Sequence, residues 1–180
     1  RRLAAALPET KPVRLAAIGA LAARTTPLAT HHFNFLGETL AGKDYSQRTT
    51  AAQVLGKAKL SEAQLVRLSE SVVASADSVT LLALAEAYRG GKSEGVGKAL
   101  LAALERNKSA AEVLSVTQLT ELVASYPDAV RSGTKTLVGR IESLQAERIK
   151  RLAELEPLLS GGDVGRGRAV FFGQKSQCSA

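Results

Sequence analysis

Short amphipathic segments, each bounded by a capping residue or a helix breaker, recur along the first 125 or so residues of this 180-residue chain. Asp44, Ser61 and Asp77 stand directly before such segments, where a side-chain oxygen caps a helix. Glycine closes others, as the pair Gly90 and Gly91 does. β-branched residues nowhere alternate convincingly with polar ones. The pattern predicts an all-α fold.

The segments also resemble one another at a nearly constant spacing. VRLAAIGALA from Val13 aligns with QRTTAAQVLG from Gln47 at an offset of 34 residues, which places Arg14 over Arg48. VTLLALAEAY from Val79 continues the series 32 residues later. Each unit holds two helices, of which the second is rich in alanine, a small residue that permits close approach to a neighbour.

These units resemble HEAT-type helical repeats. The resemblance implies a HEAT-like α-solenoid of helical hairpins over residues 1–126, in which each pair of helices buries its apolar face against the next pair. An ordinary globular helical bundle is the alternative. In the first helix the spacing predicts an inward face made of Val13, Ala16, Ala17, Ala20 and Leu21.

Residues 127–159 have a different character and are predicted to form one long helix. Pro127 begins the stretch and Pro157 ends it. We expect the helix to act as a strut or cap along the preceding repeats, with a dimeric coiled coil as the alternative. Its apolar residues recur at steps close to 3.5 and are Val130, Leu137, Ile141, Leu144, Leu152 and Leu155.

Side chains that catalyse reactions or bind metals are scarce in the sequence. The two histidines, His31 and His32, are adjacent, so on a helix they point about 100° apart and cannot chelate one ion as an i, i+4 pair does. Acidic residues are scattered at caps and on exposed faces. The sequence predicts no catalytic residue and no metal site, and therefore a protein that is not an enzyme.

Lysine and arginine exceed aspartate and glutamate by 24 to 17, which gives a net charge of +7. The excess is spread without a run of five like charges, and aromatic residues, which stack on bases, make up only 4% of the chain. Nucleic acid is therefore not the expected partner. The alternative is a HEAT-like nucleic-acid-binding module that uses Arg14 and Arg48. The sequence predicts no membrane span.

Residues 160–180 contain a glycine-rich stretch and the single cysteine, Cys178. GGDVGRGRAV lacks the Gly-Lys-Ser/Thr ending of a phosphate-binding loop. Asp163 instead suits the N-cap of a short helix that ends at Gly173. We expect Val170, Phe171 and Phe172 to face inward from that helix.

GDVGRGRAVFFGQKSQCSA resembles the opening of a c-type cytochrome domain, where such a helix leads into Cys-x-x-Cys-His. Cys178, Ser179 and Ala180 match the first three positions of that motif, and the second cysteine and the histidine would follow. In the motif both thiols bind haem covalently and the histidine is an axial ligand to iron. The resemblance implies that Cys178 is the first haem-attachment residue of an incomplete motif. A free thiol without a role is the alternative within these 180 residues.

The whole chain resembles one region of planctomycete and verrucomicrobial multidomain proteins of the membrane-bound-dehydrogenase type. There, HEAT-like repeats connect a dehydrogenase-like β-propeller to a C-terminal haem-binding domain. The resemblance implies that residues 160–180 are a linker and the truncated start of a cytochrome c-like domain. It also implies a non-catalytic scaffold that positions this electron-transfer domain next to an oxidoreductase domain of the parent protein.

The partners implied are those domains of the same polypeptide, together with a protein partner on the repeat surface. No cofactor is expected within these 180 residues, and haem c is expected in the full-length parent, which the resemblance places in the periplasm.

Overall fold

The computed structural model of the protein describes residues 10–22, 27–159 and 161–173. These residues contain helices and no strand, which confirms the all-α prediction. The chain forms two compact units, Arg1–Glu142 and Ser143–Ala180. The helices are Lys11–Ala22 (α1), Thr30–Leu40 (α2), Tyr45–Lys57 (α3), Glu62–Ser71 (α4), Ser78–Ala85 (α5), Glu94–Arg106 (α6), Ala110–Val113 (α7), Val116–Val123 (α8), Asp128–Ser132 (α9), Lys135–Leu155 (α10) and Val164–Phe171 (α11).

The capping residues read from the sequence begin their helices as predicted. Each carries a side-chain oxygen that accepts a hydrogen bond from the backbone N–H three residues later, which satisfies a donor that the helix leaves free. In α5 this bond is the main reason why the pKa of Asp77 lies below its usual value. The bonds join Asp44 to Gln47 (3.0 Å), Ser61 to Gln64 (3.3 Å) and Asp77 to Thr80 (2.9 Å).

Several helices of the first unit pack against the second-next helix along the chain. α1 packs on α3, α3 on α5, α5 on α7 and α4 on α6, whereas α6 packs on α9, the third-next helix. α2 also packs against α3, its successor. Most of the buried apolar side chains are leucine and alanine. None of the described helices is long and apolar enough to cross a bilayer.

The face that α1 turns inward differs from the predicted one. Leu15 and Ile18 are buried, together with Ala22, because large aliphatic side chains remove more apolar surface from water than alanine does. Val13, which was expected inside, is 52% exposed. The predicted face of Val13, Ala16, Ala17, Ala20 and Leu21 is thus wrong.

The stretch predicted as one long helix is divided after Ser132. The N–H of Gly133 donates to the carbonyl oxygen of Val130 at 3.1 Å, which closes α9 before α10 begins. The apolar stripe is buried at Val130, Leu137 and Ile141, but Leu152 is 66% exposed. The prediction of one uninterrupted helix is therefore wrong. The role of this segment as a strut or cap stays a prediction.

In the second unit, Asp163 caps α11 as predicted, since its side chain accepts a hydrogen bond from the N–H of Arg166 at 2.6 Å. The prediction that Val170, Phe171 and Phe172 face inward is wrong, because they are 64%, 50% and 63% exposed. α11 is eight residues long, and none of its residues is buried.

Hydrogen bonds of side chains join parts of the first unit that lie about 35 residues apart in the sequence. Each connects one pair of helices to the next pair, so neighbouring segments are linked by polar contacts as well as by apolar packing. The sequence separations are 36 for Gln64 to Leu28, 33 for Arg67 to Asn34, 31 for Ser93 to Glu62, 34 for Asn107 to Val73, 38 for Tyr126 to Tyr88 and 35 for Arg140 to Glu105.

Asn107 forms a link through three hydrogen bonds of one side chain. Its side chain is almost fully buried, with 2% of the residue exposed. Nδ2 donates to the carbonyl oxygens of Val73 and Ala76 at 2.7 and 3.0 Å, and Oδ1 accepts from the N–H of Ser109 at 2.8 Å. Asn107 thereby pairs three backbone groups, two of them at the turn that follows α4.

Two buried tyrosines form a second link. The hydroxyl of Tyr88 donates to the carbonyl oxygen of Leu65 at 2.9 Å, and that of Tyr126 donates to the carbonyl oxygen of Tyr88 at 3.0 Å. Burial raises the pKa of both phenols, that of Tyr126 to about 12. Gly97 leaves room for the Tyr126 ring, since a Cβ there would lie 2.7 Å from its Cδ1.

Candidate functional site

A groove of about 590 Å³ lies in the first unit between α2 and α4. It exists because α4 packs closely on α6 but barely on α2. One wall carries Asn34 and Gly37 from α2, and the other carries Arg67 from α4. Arg48 from α3 and Asp77 from the cap of α5 also line it. Four successive helical segments thus contribute to one site.

Arg67 reaches from α4 to the opposite wall. Its Nη1 donates to Oδ1 of Asn34 at 3.0 Å, and its guanidinium carbon lies 5.8 Å from the centre of the Phe33 ring. Arg67 is exposed, and a guanidinium carries five N–H donors. The contact with Asn34 uses one donor and holds the charge over the groove.

Arg48 enters the groove from α3. Its Nη2 lies 3.8 Å from Oδ2 of Asp77, which is an attractive charge pair but beyond hydrogen-bond distance. Its Nε is buried and finds no hydrogen-bond acceptor in the part of the chain that the structure describes. The guanidinium therefore retains unused hydrogen-bonding capacity, which is costly in a partly buried position.

The carboxylates of the groove have other roles or lie at its edge. Asp77 accepts the capping hydrogen bond of α5, and Glu38 is exposed on α2. Beneath them the lining is apolar and includes Leu40, Leu68 and Val72. The arrangement combines an apolar base with two guanidinium groups. Chemically it suits recognition of an anionic group that stands beside an apolar one.

The structure places the sequence-predicted residues as follows. Cys178 lies outside the described residues. Arg14 does not line the groove, because its guanidinium stacks over the Phe35 ring at 4.0 Å. Nucleic-acid binding through Arg14 and Arg48 stays a prediction. Arg67 was missed by the sequence reading, although a signal existed: Val66-Arg67 repeats the Val-Arg pair at 13–14.

The adjacent histidines occupy the first turn of α2, where His31 is exposed and His32 is buried. Their ring centres lie 3.9 Å apart. Burial lowers the pKa of His32, and the neighbouring charges of His31 and Arg14 lower it further. The described residues include no group of three or more His, Cys, Asp or Glu side chains placed to hold a metal ion.

We expect His32 to titrate below its ordinary pKa of 6.5. Because the folded state favours the neutral ring, the stabilisation is present above about pH 6.5 and is lost as the pH falls through the lower folded-state value. NMR titration of the imidazole protons in a His31→Gln variant, which retains one histidine, would measure this value. A midpoint at or above 6.5 would contradict the buried, neutral assignment.

Haem attachment of the c type requires two cysteines and a histidine, and this chain has one cysteine. Its two histidines lie in the first unit. Residues 161–173 contain no Cys, His or Met side chain that could attach or ligate haem. The residues present therefore cannot attach a c-type haem by themselves.

Comparison of the chain with protein-family models, with curated proteins and with solved structures finds no match.

Proposed function

We propose that the chain is a non-catalytic helical-repeat scaffold, a HEAT-like α-solenoid that positions a C-terminal c-type cytochrome domain beside an oxidoreductase domain of the parent polypeptide. The observation that carries the proposal is the packing of helices against their second-next neighbours, with polar links that span 31 to 38 residues. The proposal assigns the parent to the periplasm, where c-type haem is attached.

The spacing of the links supports the solenoid. In a stack of repeats each unit contacts only its neighbours, so contacts between units recur at about the repeat length. The links in this protein have separations close to the 34- and 32-residue offsets of the sequence repeat. A globular bundle would bring together residues at widely different separations. The Tyr88 to Leu65 hydrogen bond, with a separation of 23 residues, is an exception. The spacing shared by the other links favours repeats over a bundle.

The buried links also supply the stiffness that a scaffold needs. Asn107 and Tyr126 fix the backbone of the preceding helix pair through hydrogen bonds that water cannot reach. Electron transfer requires that two cofactors approach closely. A stiff helical array restricts the orientations of the domains at its ends more than a flexible Gly/Ser linker does.

The surface of α11 supports an adjoining domain. Val164 is 87% exposed, and Phe172 is 63% exposed at the other end of the helix. Covering large apolar side chains with another part of the polypeptide is energetically favourable, because burial removes their surface from water. A haem-binding domain that begins with Asp163 and α11 would provide such cover.

The haem part of the proposal is tested in a longer polypeptide that continues past Ala180. The gene should encode Cys-His next, and the protein, produced with a haem-attachment system, should carry haem that survives denaturation. Cys178→Ala should abolish the intact two-thioether attachment and shift the absorption of the haem, whereas Ser176→Ala should not. Any residues other than Cys-His after Ala180 would remove the proposal's main support.

The scaffold part is tested by replacing residues 1–126 of the parent with a Gly/Ser linker of similar span. We expect haem attachment to persist while electron transfer to the haem, followed by rapid-mixing spectroscopy, slows. An unchanged rate would contradict the positioning role.

A further inference from the structure

We propose that the groove between α2 and α4 binds an acidic peptide segment of a partner protein, with its carboxylates on Arg48 and Arg67 and an apolar side chain against Ala41 and Val72. The proposal deepens the scaffold role and rests on it, since it names the chemistry of the protein that the repeats would hold.

Arg48 and Arg67 keep guanidinium N–H groups that the fold leaves available for hydrogen bonds. Arg48 approaches Asp77 only to 3.8 Å, and Arg67 makes one described hydrogen bond, to Asn34. A guanidinium presents parallel N–H groups that match the two oxygens of a carboxylate, and such charge-assisted pairs are stronger than neutral hydrogen bonds. Arg48 from α3 and Arg67 from α4 line the same groove, so each can pair with a carboxylate of one peptide.

The apolar lining provides the second part of the recognition. Ala41, which is exposed, and Val72, which is half-buried, line the groove together with the arginines, and the volume of about 590 Å³ accommodates side chains as well as backbone. The groove is partly open to solvent. An open cleft lets the chain on either side of the bound segment continue outward, which suits a peptide within a longer protein.

The same features disfavour nucleic acid as the occupant. A phosphate backbone carries a negative charge at every nucleotide and would meet Glu38 and Asp77, which line the groove beside the two arginines. A peptide can instead place neutral or basic residues next to those two carboxylates. Phe33 is 5% exposed and offers little ring surface on which a base could stack. A peptide that combines acidic with apolar residues matches both the charges and the lining.

The test is selection of a random 12-residue phage-displayed peptide library on the purified protein, followed by fluorescence anisotropy of the selected peptides. We expect enrichment of peptides that contain Asp or Glu together with Leu, Ile or Phe. The double variant Arg48→Gln/Arg67→Gln should weaken their binding at least about fivefold. The control Lys57→Gln/Arg106→Gln removes two positive charges from residues outside the groove and should leave binding unchanged.

A second variant blocks the groove without removing charge or core. A Cβ on Gly37 meets no atom within 4 Å, so Gly37→Leu places a side chain in open space at the wall of the groove. Leucine also has a higher helix propensity than glycine in a helix interior. We expect a folded protein of at least wild-type melting temperature that no longer binds the selected peptides.

Several outcomes would overturn the proposal. They are failure to enrich any peptide, enrichment of neutral or basic peptides, equal binding by the Arg48→Gln/Arg67→Gln variant, and displacement of the peptide by duplex DNA at low salt. Each would leave the linker-replacement experiment unaffected. Evidence against peptide binding in the groove is therefore distinguishable from evidence against the scaffold role.

Discussion

Gly56→Ala is expected to lower the free energy of unfolding by about 3 kcal/mol, at the upper end of the effects of overpacking. A Cβ on Gly56 would lie 2.1 Å from the carbonyl oxygen of Ala83 and 3.1 Å from its carbonyl carbon. The obstacle is backbone, which cannot rotate away as a side chain can. α3 and α5 must therefore move apart, and the core between them loses its close packing.

Gly37→Ala is the matched control, because it makes the same substitution inside a helix where no atom lies within 4 Å of the new Cβ. There the helix propensity of alanine should raise stability by roughly 0.5–1 kcal/mol. Urea denaturation followed by circular dichroism measures both variants. If both substitutions changed the free energy of unfolding in the same direction, or if Gly56→Ala changed it by less than about 0.5 kcal/mol, α3 and α5 would not be in this close contact.

Asn107→Ala is expected to cost about 3 kcal/mol, because it leaves the carbonyl oxygens of Val73 and Ala76 and the N–H of Ser109 without their partner. Asn107→Asp should destabilise further at neutral pH, since a carboxylate would replace the donor with an acceptor that faces two carbonyl oxygens.

Asn34→Ala is the control for this position. Asn34 is half-buried and accepts one hydrogen bond, from Arg67, so its loss should lower stability by less than about 1 kcal/mol. The measurement is again urea denaturation. An Asn107→Asp variant as stable as the wild type would mean that Nδ2 does not bridge the two carbonyls.

The starts of the helices were predictable from sequence because capping is local. Asp44, Ser61, Asp77 and Asp163 each bond to an N–H three residues away, so a few adjacent residues decide the outcome. Inward faces were less predictable. In α1 alanine occurs on every side, so spacing alone does not distinguish a face until the packing of Leu15 and Ile18 is known.

The groove could not be predicted, because it results from the absence of packing between two helices. Arg48 and Arg67 belong to α3 and α4, and no sequence pattern reports the gap that brings them to one opening. Only the repeated Val-Arg pair at 66–67 offered a signal. The haem-attachment role of Cys178 rests on resemblance, since that residue lies outside the described part of the chain.

The uniform spacing of the polar links has a consequence for how the chain folds. Closing a loop costs entropy that rises with the logarithm of its length, so loops of 31 and 38 residues differ by only about 0.2 kcal/mol. None of these links of 31 to 38 residues is entropically favoured as the first to form, and folding can start at any neighbouring pair of segments. A substitution at Asn107 leaves the other starting points intact, so it should accelerate unfolding more than it slows folding.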